Sequence, residues 1–172
     1  MPDIKELLAK ARPRERTIKL LLAGDIAGEI ERLEGKLREV SEDWQPGDLT
    51  DQHPGKAISA QIAKLREQAR ESEAEFKLRN IGDEAYSSLM AAHPATNENE
   101  GFDSVTFPPA LIAASCVDPV MAVDDVKALF EVITQGQIKD LFDAAWDVHN
   151  SSGLVPFSLA GSALLAALGD VK

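Results

Sequence analysis

A single cysteine, Cys116, in 172 residues leaves no partner for an intrachain disulfide, which fits a reducing compartment. Ala, Ile and Val surround it, so it reads as a small buried hydrophobe without an activating partner. Basic residues are also scarce: 18 Lys and Arg stand against 29 Asp and Glu, a formal net charge of −11. Such a chain repels a polyanion, which argues against a nucleic-acid partner and for a soluble, self-repelling protein. Long hydrophobic runs are missing as well. The opening MPDIKELLAKARPRER has no signal-peptide core. The apolar tail LVPFSLAGSALLAALG is shorter than the ~20 residues of a bilayer-crossing helix. Pro156 and Gly161 also interrupt it, so no membrane partner is expected.

Motifs that carry chemistry are absent too. His53, His93 and His149 lie far apart at expected loops or helix ends, without the short paired spacing of a zinc site. His93-Pro94 reads as a helix-ending turn. The acidic stretch 97–103 does not make a calcium loop: with Gly101 at the required glycine, Thr96 takes the first ligand position and Phe107 the twelfth. Gly24, Gly28 and Gly35 are not followed by the Lys-Ser or Lys-Thr of a phosphate loop. Asp124 and Asp125 most simply place negative charge in the first turn of a helix. The expectation is a protein that is not an enzyme, with no catalytic residues, no metal site and no cofactor.

What the sequence does contain is periodicity. Ile18, Leu20 and Leu22 alternate with Thr17, Lys19 and Leu21, and Phe76 and Leu78 alternate with Glu75, Lys77 and Arg79, as half-buried strands require. Glu75, Lys77, Leu78 and Arg79 are also good helix formers, so extension of the preceding helix through 76–80 is the competing expectation. Between these runs, Ile26, Ile30, Leu33, Leu37 and Val40 form one heptad seam, and Ile58, Ile62, Leu65 and Ala69 a second. Two such seams zip into an antiparallel hairpin, with Asp25 as the expected first N-cap and a break over residues 41–54.

The second half is helical by pattern. Ala85, Leu89 and Met90 face inward in a helix ending at His93-Pro94, and a polar loop follows. Thr106 precedes a helix start near Pro108 or Pro109, where a missing amide proton costs nothing, and ALIAASC forms that short helix. Val126, Leu129, Phe130 and Ile133 mark one amphipathic helix, and Ile138, Leu141, Phe142, Ala145 and Trp146 another. These two should form a helical hairpin turning at residues 134–136. Ser151, Ser152 and Gly153 make a flexible break before the last segment. The expected fold is α+β and mostly helical, with two short strands flanking a coiled-coil-like helical hairpin and a helical part after it. Residues 1–14 are a mobile or loosely packed lead. Residues 15–80 form the strand-helix-helix-strand module, 81–150 the helical module, and 151–172 a flexible apolar tail or helix.

The succession RTIKLLLAGDIAGEIERLEGKLREV, a Phe-containing strand, Ala-His-Pro, FDSVTFPPALIAASC and QIKDLFDAAWDVH resembles the tail assembly chaperones of long-tailed phages and prophages of actinobacteria. The resemblance spans roughly residues 16–150, and its most specific parts are 22–33, 89–94 and 102–116, taken in that order. It departs at Ala95, where a second proline often follows His-Pro in the family. The resemblance implies a non-enzymatic protein of the bacterial host cytoplasm that takes part in virion assembly. Its partner would be the tape measure protein, with the major tail tube protein as a further one. It also implies absence from the mature virion and, often, a longer frameshifted product.

A physical rationale accompanies that implication. A long, largely helical client rich in apolar surface aggregates unless it is covered, and many small acidic copies would keep it soluble. Such copies gain avidity when neighbours touch, so self-association or side-by-side binding is expected. Open strand edges offer one means of contact, and the competing expectation is that the helices merely cover them. Candidate contact residues are Trp44 beside His53 in the hairpin loop and the stripe Phe157, Leu164, Leu165 and Leu168. That stripe suits a last core helix as well. A permanent tail or connector subunit is the main alternative function, and an acidic DNA mimic a weaker one. Arg32, Lys36, Arg38, Lys64, Arg66 and Arg70 interleave with the glutamates instead of leaving one uncompensated acidic stripe.

Overall fold

The computed structural model describes residues 3–47 and 51–152. In chain order the elements are α1 (Ile4–Lys10), β1 (Glu15–Leu21), α2 (Gly24–Asp43), α3 (Gly55–Glu71), β2 (Glu73–Arg79), α4 (Asp83–Ala92), α5 (Phe107–Ser115), β3 (Cys116–Asp118), α6 (Val123–Phe130) and α7 (Gln135–Asn150). The fold is α+β and mostly helical, and α2 and α3 pack as a hairpin between two strands. No described helix is long and apolar enough to cross a membrane.

β1 and β2 pair antiparallel, with Glu15 opposite Arg79 and Leu21 opposite Glu73, so the run at 76–79 is a strand. Alternation then sorts the side chains into two faces. Ile18, Leu20, Ala74, Phe76 and Leu78 turn inward, where Leu20, Phe76 and Leu78 are buried. Glu15, Lys19, Glu73, Lys77 and Arg79 line the outer face, where Glu15 meets Lys77 at 2.8 Å and Arg79 at 2.6 Å. Those two partners, Lys77 first, hold the Glu15 carboxyl below its ordinary pKa.

A third strand, β3, joins β2 on the side away from β1, with Cys116 opposite Leu78 and Asp118 opposite Lys77. The sequence reading placed Cys116 at the end of a helix, but α5 stops at Ser115 and Cys116 turns into the sheet. Burial raises the thiol pKa of Cys116, the largest cause of its shift. Among the described residues β1 is therefore an edge strand, whereas β2 is central.

The core lies between the inner sheet face and α5 with α7. Phe107, Leu111 and Ile112 of α5 and Leu141 of α7 are fully buried, each worth ~1.5–3 kcal/mol of transfer free energy. Residues from 15–80 and from 81–150 share this one core. α5 starts at Phe107, slightly before the expected proline, and has proline in its first turn. Asp103 organises that start: its Oδ1 accepts from the backbone N–H of Val105 at 2.8 Å and of Thr106 at 2.9 Å.

α5 is buried almost all round, and this changes the helical half. α6 and α7 were expected to pair with each other, but α6 packs on α5, and α7 packs on α5 and across β1 and β2. Their junction is fixed by a capping box. Gln137 N–H donates to Thr134 Oγ1 at 3.2 Å, and Thr134 N–H donates to Gln137 Oε1 at 3.0 Å. The Gln137 amide then donates from Nε2 to the carbonyl of Leu21 at 2.8 Å, tying α7 to the end of β1.

In α4 the inward residues are Tyr86, Leu89 and Met90, and Ala85 is exposed, so the expected stripe turns by one residue. Gly82, at φ +89°, makes the corner from β2 into α4, a backbone shape that other residues adopt only under strain. Asn80 fixes the corner by donating from Nδ2 to Val148 O at 3.1 Å and accepting from Gly82 N–H at 2.7 Å. Helix α2 begins at Gly24 after Ala23, not with Asp25 as its N-cap; Asp25 instead adds negative charge to the first turn.

Candidate functional site

The hairpin of α2 and α3 stands apart from the core. None of its side chains belongs to the shared cluster, and the two helices pack chiefly on each other. Its base is the strand pair itself, which Leu22 N–H extends by bonding Ser72 O at 3.2 Å. A helical arm thus replaces what would otherwise be the turn of a β-hairpin.

Both heptad seams meet along the arm, but only their centre is sealed. Leu33 and Ile62 are 4% and 5% exposed, whereas Ile26, Ile30, Leu37, Val40, Ile58, Leu65 and Ala69 are half-buried. Two helices cannot cover each other's apolar stripe on both flanks, and one flank remains as an open groove. It measures about 330 Å³, with Leu33 and Leu65 on its floor and Glu29, Arg32 and Lys64 on its rim. The charged faces are compensated: Arg32 bonds Glu29 at 2.7 Å, Arg66 bonds Glu34 across the helices at 2.7 Å, and Arg70 bonds Glu67 at 3.1 Å. Exposed pairs of this kind contribute ~0–1 kcal/mol each, so they keep the arm soluble more than they hold it together.

At the tip, Trp44 follows the last turn of α2 and is half-buried. Its ring centroid lies 4.6 Å from that of His53, so the two expected contact residues come together. His53 Nδ1 accepts from Gly55 N–H at 2.9 Å and so shapes the start of α3. A depression of about 420 Å³ beside Trp44 is bordered by Glu39, Val40, Asp43 and Pro54. Phe157, Leu164, Leu165 and Leu168, the other expected contact residues, lie outside the described residues.

The remaining histidines serve other places. His93 Nδ1 lies 2.9 Å from Thr106 Oγ1, linking the end of α4 to the start of α5. His149 Nε2 accepts from Ile81 N–H at 3.2 Å, its Nδ1 sits 2.8 Å from Ala145 O, and its ring stacks on Tyr86 at 4.8 Å. Those bonds lock the β2–α4 corner to the end of α7. Periodicity exposed both seams of the arm in the sequence. The groove between them and the stacking role of Tyr86 depend on packing and left no sequence signal.

Comparison with known protein families, curated proteins and solved structures yields no match. The arm, with its groove and aromatic tip, is the candidate site on geometry alone.

Proposed function

We propose that this chain is a non-enzymatic tail assembly chaperone of a long-tailed phage or prophage. On this reading it binds the tape measure protein in the host cytoplasm, keeps it soluble while the tail tube polymerises, and is absent from the finished virion. The observation that carries the reading is the arm: a helical hairpin outside the core, with an apolar groove open along one flank. A third amphipathic helix laid into that groove would complete the heptad packing that two helices leave unfinished. A long helical client supplies such helices repeatedly.

Charge supports the same reading. A net charge of −11 keeps a loaded complex soluble, while the arginine pairs on the arm leave no uncompensated acidic stripe there to imitate nucleic acid. The test is co-expression of the tagged chain with the tape measure protein of its own gene cluster, followed by mass measurement of the complex. A soluble complex carrying several copies, with the client insoluble alone, is expected. A client soluble by itself that forms no complex would remove the physical basis of the reading. Recovery of the chain in purified virions would point instead to a permanent tail subunit.

A further inference from the structure

β1 has one side bonded to β2 and, among the described residues, the other side open. The bonds Leu22 N–H to Ser72 O and Asn80 N–H to Arg14 O mark the even-numbered residues of β1 as those facing β2. The odd-numbered residues therefore direct their backbone N–H and C=O groups outward. Gln137 satisfies the outward carbonyl of Leu21, but the outward groups of Glu15, Thr17 and Lys19 have no partner among the described residues, and all three residues are exposed. An open edge of this kind is a template for strand addition.

We propose that this edge pairs with β1 of a second copy, antiparallel about a two-fold axis through Thr17. Both strands must present odd-numbered residues to each other, which limits the register to a few choices. A centre at Ile18 sets Glu15 against Leu21 of the partner subunit and Thr17 against the partner's Lys19. A centre at Lys19 sets two lysines face to face, and a centre at Arg16 brings Pro13, which has no N–H, into the ladder. A centre at Thr17 sets Glu15 opposite Lys19 of the partner subunit at both ends and the two threonines opposite each other. Of these four, it alone gives both charged residues on the outer face an opposite charge. The same charges that discourage indiscriminate edge pairing thus select one register and one partner, a copy of this chain.

The product is a six-stranded sheet whose arms leave from opposite ends. A strand pair this short buries less than the ~800 Å² per partner of a standard interface, so the dimer is weak, with a dissociation constant of roughly micromolar or higher. It requires only the sheet, and holds whether or not the arm binds a tape measure protein.

Sedimentation equilibrium of the full chain from about 1 µM to about 1 mM tests the dimer. Thr17→Pro removes an N–H on the open side only and leaves the bonds to β2 in place. Lys19→Glu places like charges opposite each other at both ends, and so does Glu15→Lys. The wild type should dimerise, each variant alone should dimerise at least roughly tenfold more weakly, and an equimolar mixture of Lys19→Glu with Glu15→Lys should recover the dimer. Circular dichroism checks that each variant folds. Because Glu15 also holds Lys77 and Arg79, Thr17→Pro and Lys19→Glu decide the matter if Glu15→Lys does not fold. A wild type monomeric throughout, or a dimer indifferent to Thr17→Pro, overturns the pairing; folded charge variants that fail to recover the dimer on mixing overturn the register.

Discussion

Ser115 sits at the end of α5 with its hydroxyl fully buried and without a hydrogen-bond partner among the described residues. An unsatisfied buried hydroxyl costs free energy, so Ser115→Ala should raise stability by about 1 kcal/mol, read as a higher urea midpoint. Asp103 is the opposite case. Backbone N–H groups of Thr106 and then Val105 hold its carboxyl below the ordinary aspartate pKa. A depressed pKa contributes stability that is fully present above the unfolded value and is lost as pH falls through the folded one. Asp103→Ala should therefore lower the denaturation midpoint at neutral pH, and its deficit against the wild type should shrink as pH falls through the acid range. Equilibrium unfolding measured across that range checks it. At this scale the sequence was legible in part: Cys116 is the buried small residue that its neighbours implied, but whether Ala85 or Tyr86 turns inward depends on where α7 lies. Asp25 missed the N-cap because the chain begins to coil two residues earlier, at Ala23.

Among the elements, the arm is the most legible and the least integrated. Its heptad spacing needs only a partner helix close in sequence, and the turn residues between 41 and 54 supply the reversal. Leu33 is the buried centre of that seam, so Leu33→Ala should destabilise the arm by about 2–4 kcal/mol. Because Leu33 lies outside the shared core, the loss should appear in hydrogen exchange of α2 and α3 while the sheet and α5 keep their protection. β3 shows the contrary. Three residues carry no usable period, and what makes Cys116–Asp118 a strand is the central strand β2, about forty positions earlier, offering an unpaired edge. Strand β2 itself was ambiguous locally, and pairing with β1 settled it.

For the whole molecule, the division between arm and core makes a direct prediction. Leu22 and Ser72 end the ladder with Leu22 N–H donating to Ser72 O, a register position that a two-residue turn closes. Replacing residues 23–71 with Asn-Gly should leave a folded body with a cooperative melt and should abolish client capture in the co-expression assay. Heptads, alternation, charge balance and the lone cysteine are local or compositional quantities, and they determined by themselves the fold class, the arm and the acidic surface. The third strand, the packing of α6 and α7 on α5, the open groove and the bare edge of β1 were decided only by tertiary structure. Each depends on residues far apart in the chain competing for the same buried surface or the same backbone hydrogen bonds, and no short-range pattern encodes the outcome of that competition.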